Sequence, residues 1–218
     1  MSTTLWNFKQ FKFVMRILQY IVTLEILFPL FFGLLNFKRF GDKIAKPFFI
    51  YICFITILEI IALYLSLNSI NNHFVYNILD ICTILLFLCL FWIEKNKSFW
   101  ILFFLILIFS IGNLLINNPF VFKEKNYFII YLFVGIASIL FISISITSNM
   151  PLTFDSFRFW FYAGFIITSF STLNLFIFFP RIMVLNPSNI LVKYFSFFNF
   201  IISTLQYLCF SIAFLCKK

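Results

Sequence analysis

Residues Pro47–Asn68 read PFFIYICFITILEIIALYLSLN. One charge, Glu59, interrupts a run that is apolar on every face. A helix needs about 20 mostly apolar residues to cross the hydrocarbon core of a bilayer. A membrane β-strand would be about ten residues long and would alternate strictly between apolar and polar. Here apolar residues fill both parities of a run about twice that length. The stretch predicts a membrane-spanning helix.

Working outward, six more segments pass the same test: Phe13–Leu35, His73–Ile93, Phe99–Ile116, Tyr127–Ser148, Arg158–Phe179 and Ile190–Cys216. Their connections, Asn36–Lys46, Ser69–Asn72, Glu94–Ser98, Asn117–Asn126, Asn149–Phe157 and Pro180–Asn189, are short and polar. Asn118-Pro119 and Asn186-Pro187 mark turns. No connection is long enough for a separate soluble domain. The expected fold is all-α: a polytopic membrane helical bundle of about seven transmembrane helices, with residues 1–218 as one transmembrane domain. The basic N-terminus ahead of an apolar run resembles a signal peptide. The run is too long and lacks a small-x-small cleavage site, so a retained first helix is expected.

Composition agrees. Of 218 residues, 63% are hydrophobic and 11% charged, against about 25% charged in soluble domains. So few polar side chains could not cover a soluble fold. Phe occurs 38 times; Ile, Asn and Lys are plentiful too, a bias that AT-rich codons explain. A net charge of +9 on a soluble protein would point to nucleic acid. Here the basic residues lie between apolar runs, where Lys and Arg mark membrane edges. The expected surroundings are the lipid bilayer of the cell (inner) membrane, with no nucleic-acid partner.

Several chemistries are not expected. Cys53, Cys82, Cys89, Cys209 and Cys216 lie in or beside apolar runs without a C-x-x-C pair and read as packing thiols. There is no H-E-x-x-H, no phosphate-cradling Gly loop and no nucleophile elbow. The lone His73 sits at a membrane edge and reads as a solvated polar residue. A retinal protein needs a lysine deep in its last helix, whereas Lys193 lies near the start of that segment and Lys217 and Lys218 beyond its end. The expectation is a non-enzyme without metal or cofactor.

Three acids fall within the lipid-facing length: Glu25, Glu59 and Asp80. Charges at membrane depth usually face a bundle interior and mark a site or a partner. At 1.5 Å per residue, their depths from the N-terminal side are about 18, 14 and 10 Å. They therefore share one half of the membrane, and Arg16 enters from the same side. Thr56, Glu59, Ala62 and Ser66 form one helical stripe; His73, Asn77, Asp80 and Thr83 form another. Later stripes (Gly135, Ser138 and Ser145; Gly164, Thr168, Ser171 and Asn174; Asn199, Ser203 and Gln206) read as helix packing. Pro29, four residues after Glu25, removes the amide that Glu25's carbonyl would accept and predicts a kink. That leaves two readings of Glu25: a cation or proton site, or a neutral carboxyl bonded to a neighbour beside a packing kink. Arg16, Glu25, Glu59, Asn77, Asp80 and Asn199 are the candidate ligand or ion site.

Some stretches resemble a known group. They are Asn71-Asn72-x-x-x-Tyr76-Asn77 leading to Asp80, Glu59 midway along the second helix, Phe157-Arg158-Phe159-Trp160 with Gly164 and Ser169, and the last helix with Asn199, Gln206-Tyr207 and terminal lysines. Together they resemble small seven-helix membrane proteins of Bacteroidetes, similar to the membrane sensor portion of histidine kinases. The group's pattern has Glu at the Asp80 position and Arg at the Gln206 position. The resemblance implies a sensory or signalling subunit without an output domain of its own, working through a histidine kinase or another membrane partner. The residues alone leave two alternatives open: a small transporter or ion-conducting protein using the intramembrane acids, and a structural subunit of a membrane complex.

Orientation follows from Lys and Arg counts. Lys9, Lys12, Arg16, Lys123, Lys125, Arg181 and Lys193 lie on the N-terminal side. Lys38, Arg39, Lys43, Lys46, Lys95, Lys97, Arg158, Lys217 and Lys218 lie on the other. The expected topology puts the N-terminus outside and the C-terminus in the cytoplasm. Reporter fusions after Lys46, Lys97 and Lys218 should all read cytoplasmic. Opposite readings at Lys46 and Lys218 would refute the helix count or the topology.

Overall fold

A computed structural model describes residues 17, 20, 21, 24–116, 124–147, 154–185 and 190–216. These form seven α-helices: α1 (Leu27–Asn36), α2 (Ala45–Leu67), α3 (His73–Ile93), α4 (Lys97–Ile116), α5 (Glu124–Thr147), α6 (Phe157–Leu185) and α7 (Ile190–Leu215). No strand occurs among the described residues. Three helical stretches, Ala45–Leu67, His73–Ile93 and Phe197–Leu215, are long and apolar enough to cross a membrane; Leu27–Asn36, Lys97–Asn113 and Phe128–Ser143 are shorter apolar stretches.

Three helix starts have a visible local cause. Ahead of α2, Asp42 Oδ1 accepts the Ile44 amide at 2.9 Å, an Asx turn that supplies one missing partner of a helix start. Asn71 does the same for His73 at 2.9 Å. Ser156 Oγ accepts the Phe159 amide at 3.3 Å, an N-cap bond for α6. Asn72 Nδ2 donates to the Ala62 carbonyl at 3.3 Å and ties the α2–α3 turn to the end of α2.

Two boundaries differ from expectation. Helical backbone on either side of Ile26 is interrupted at that residue, three residues before Pro29. The Leu30 amide reaches Ile26 O only at 3.5 Å. Pro29 has no amide for the Glu25 carbonyl, while Ile26 itself keeps helical dihedrals (φ −66°, ψ −20°). Conversely, α6 runs through Pro180 to Leu185, although Pro180 was placed in a connection. A proline deprives one turn of its hydrogen bond, and a helix can carry on past it with a bend.

Sequence neighbours pack as neighbours: α1 on α2, α2 on α3, α3 on α4, α5 on α6 and α6 on α7, with α7 returning to α1 and α5 touching α3 and α4. The result is a closed ring of helices. Its outer face is apolar. Along α2, Ile50, Phe54, Ile57, Ile61 and Tyr64 all point outward, at the i, i+4, i+7 spacing of one helical face. Its inner face holds buried Thr56, Asn77, Asp80, Thr83, Ser110, Ser138, Ser169 and Ser171. Polar groups inside and large apolar groups outside invert the soluble arrangement and match a lipid solvent.

Phe48 is the hub of the core. Fully buried, it meets Phe161 at 4.7 Å, Phe210 at 4.8 Å and Phe214 at 5.2 Å between ring centroids. Phe87, Phe91, Phe103 and Phe165 continue the cluster. Small residues let the helices come close enough for this. A Cβ added to Gly135 would lie 2.9 Å from Ser169 Cβ, and one added to Gly164 would collide with the Phe210 ring. Gly164→Ala should therefore destabilise the fold by about 1–3 kcal/mol, the usual range for overpacking. Thermal melts in detergent would measure this. Phe210→Leu should restore much of the loss in the double variant, and additive losses would show that the Gly164–Phe210 contact is not the cause.

Candidate functional site

The interior has two layers. On the side of the 36–46 connection lies the phenylalanine cluster. Beyond it, toward the other end of the bundle, lie the acids. Tyr51 is the boundary. Its ring packs on Phe48 and Phe165, with centroids 6.1 Å apart in each case. Its hydroxyl lies 3.1 Å from Thr83 Oγ1. Thr83 uses its own proton on the Leu79 carbonyl at 3.0 Å, so the Tyr51 hydroxyl is the donor of the pair. A tyrosine suits this position because one end is apolar and the other polar.

Asp80 is 3% exposed. Its Oδ1 is enclosed without a hydrogen-bond partner among the described residues. Asn77, one turn earlier on the same stripe, is also buried. Glu59 is half-buried and lies within electrostatic reach of the hydroxyls of Tyr51, Tyr76, Tyr131 and Tyr207. Asp80 reaches two of the same hydroxyls, Tyr51 and Tyr131. Glu25 reaches Tyr207. Tyrosines of α2, α3, α5 and α7 thus lie in the same polar half as the acids of α2 and α3 and the one just ahead of α1.

Glu25 has a direct partner. Thr204 Oγ1 lies 2.9 Å from Oε1 and 3.1 Å from Oε2. The same hydroxyl also lies 2.9 Å from the Phe200 carbonyl. One hydroxyl proton cannot serve all three acceptors. A neutral Glu25 donating to Thr204 would let Thr204 donate to Phe200, which is the bonded-neighbour reading of this residue. Asn199 accepts from Ser171 Oγ at 3.4 Å and so links α7 to α6. Arg16 and the side chain of Asn174 lie outside the described residues. The hydroxyls of Ser138 and Thr168 bond carbonyls of their own helices at 2.8 Å, in keeping with a packing role for the later stripes.

The other end of the bundle is held by an ion network. Arg158 Nε donates to Asp42 Oδ2 at 2.7 Å and Nη2 to Oδ1 at 3.5 Å. Arg158 Nη1 lies 2.9 Å from Glu94 Oε1. Two connections far apart in sequence therefore meet the first turn of α6 at one guanidinium, directly below the phenylalanine layer. The forked, planar guanidinium is what lets one side chain serve two carboxylates.

Sequence reasoning missed two features. The tyrosines count as apolar in a hydropathy reading, although Tyr76 stands one turn before Asp80 and Tyr207 three residues after Thr204. The Arg158 network was legible only as charge: Asp42 and Glu94 are two of just seven acids, and both fall on the side assigned to Arg158. Among the described residues no cluster of His, Cys, Asp and Glu could hold a metal ion. No family model, no curated protein and no solved structure matches the chain.

Arg158→Ala should destabilise the fold by about 2 kcal/mol, because charge-assisted hydrogen bonds are each worth about 1.5–3 kcal/mol and this side chain is partly exposed. Arg158→Lys should recover only part of that, since an ammonium cannot fork between two carboxylates. Thermal melts of both variants and of Asp42→Asn would measure the coupling. Full stability in Arg158→Ala would show the network to be ornamental.

Proposed function

We propose that the chain is an integral membrane sensory or signalling subunit. In this reading it crosses the cell membrane seven times, with the N-terminus outside and the C-terminus in the cytoplasm. A small ligand, or the state of the membrane itself, acts on the Glu25–Glu59–Asp80 layer. The change passes to a membrane partner such as a histidine kinase.

The observation that carries this reading is the asymmetry of the interior. A transporter needs access to its acids from both faces, and a sensor needs it from one. The half beside the Arg158 network is filled by Phe48, Phe87, Phe91, Phe161, Phe165, Phe210 and Phe214, none more than 1% exposed. That filling supports access from the N-terminal side alone. The acids and tyrosine hydroxyls of the other half support a polar site, because polar groups in hydrocarbon cost several kcal/mol without partners. The inverted surface and the meeting of two connections with the start of α6 at Arg158 support the multi-span topology, since alternating crossings bring them to one face.

Single cysteines at Asn77, Asp80 and Asn199, in a chain with its five native cysteines replaced, test the reading with a membrane-impermeant thiol reagent. Labelling from the N-terminal side and protection from the other is the expected result. Labelling from both sides would favour the transporter, and labelling from neither would favour the structural subunit.

A further inference from the structure

The turn between α3 and α4 places a lysine where the backbone favours glycine. Lys95 has φ 57°, the left-handed region that disfavours side chains with a Cβ. Its amide donates to the Trp92 carbonyl at 3.1 Å, and the Asn96 amide to Phe91 at 2.9 Å, closing the end of α3 as a glycine-type cap does. Stability alone would place glycine or asparagine here. A lysine held against that preference points to a task for its side chain.

The surroundings suggest the task. Phe91, Trp92, Lys95, Lys97, Trp100 and Ile101 line an open groove of about 530 Å³ between α3 and α4. Trp92 is 71% exposed, and its ring centroid lies 6.2 Å from that of Trp100. Trp100 in turn stacks on Phe104 at 5.2 Å. Indoles favour the boundary between hydrocarbon and headgroups. The groove therefore has an apolar wall beginning at headgroup level and two exposed lysines above it. Glu94, the nearest acid in sequence, is held by Arg158. Among the described residues no carboxylate pairs with Lys95 or Lys97, so both positive charges face the groove's mouth uncompensated.

We propose that this groove binds an anionic phospholipid of the surrounding bilayer. The phosphate sits between Lys95 and Lys97, and an acyl chain runs down the wall formed by Trp92, Trp100 and Ile101. Charge complementarity selects the headgroup, and the length of exposed apolar wall selects a lipid over a soluble phosphate. The site is separate from the polar layer and does not depend on the sensory reading.

Tryptophan quenching tests it in the full chain. With Trp6 and Trp160 replaced by Phe, fluorescence comes from Trp92 and Trp100. The protein is reconstituted in phosphatidylcholine nanodiscs containing a small fraction of phosphatidylglycerol or phosphatidylcholine with brominated acyl chains. Brominated phosphatidylglycerol should quench at about thirtyfold lower mole fraction, the preference two lysines near a membrane surface provide. Lys95→Gly and Lys97→Gln should each remove most of that preference. Lys43→Gln, an exposed lysine on the same end but outside the groove, should keep it. Lys95→Gly should also melt no lower than the parent, because glycine suits the backbone there, so its loss of preference would not reflect unfolding. Equal quenching by both lipids in the parent, an unchanged preference in Lys95→Gly and Lys97→Gln, or an equal loss in Lys43→Gln would each overturn the site.

Discussion

In lipid, apolar burial no longer tells a helix which face to turn inward, because the solvent is as apolar as the core. The α2 helix shows the consequence. Ile50, Phe54 and Ile57 face out while Phe48, Ile52 and Ile55 face in, and the two sets are chemically alike. Its rotation must come from the groups lipid cannot accommodate. Glu59 is a group that lipid cannot accommodate, and Gly33, Gly135 and Gly164 meet neighbours that leave no room for a side chain. The polar stripes and the small residues thus orient the helices, and the phenylalanines fill the space that results. Of these, Asp80 imposes the strongest demand: the most deeply buried acid among the described residues has an enclosed oxygen with no hydrogen-bond partner there.

The two layers follow from that demand. A tyrosine suits the boundary between them, because its hydroxyl can face a polar layer while its ring faces an apolar one. Tyr51 does both, touching Phe48 and Phe165 on one side and Thr83 on the other. Below it the packing is mostly aromatic, down to the network at Arg158. There Asp42 combines two tasks, turning the backbone into α2 through Ile44 and binding the guanidinium that also holds Glu94. A single side chain therefore connects the local start of α2 with the closure of the bundle.

The helices were legible because their signal is redundant. Every residue of His73–Ile93 contributes to the hydropathy, and the observed α3 has the bounds read from sequence. The inward direction of Asp80 was legible too, since period and chemistry agree on one stripe. What escaped reading depends on pairs rather than on runs. Arg158 looked like a topogenic charge because nothing local marks Asp42, more than a hundred residues away, as its partner. The tyrosine cluster escaped because a hydroxyl adds little to a hydropathy sum and everything to a buried network. Pro180 misled in the opposite sense: a strong local signal for a helix end gave way to a helix that continues.

If the polar layer is where this protein is acted upon, the packing says how the effect would travel. Tyr51 joins Thr83, on the same helical stripe as Asp80, to Phe48 through a single side chain. Phe48 touches rings of both α6 and α7, and α6 begins at buried Phe157, one residue before Arg158. Close-packed aromatic layers do not deform continuously; they shift between discrete packings. A change in the hydrogen bonding of Tyr51 would therefore be felt at Phe48 as a choice between ring arrangements. The nearest structure able to yield is the polar network beyond them, because its ion pairs can re-form with water. Asp42, Glu94 and Arg158 occupy that position, on the face where a cytoplasmic partner would dock. Placing the soft contacts there and the stiff ones in between suits a one-sided receiver, whereas a transport path would need the stiff layer to open.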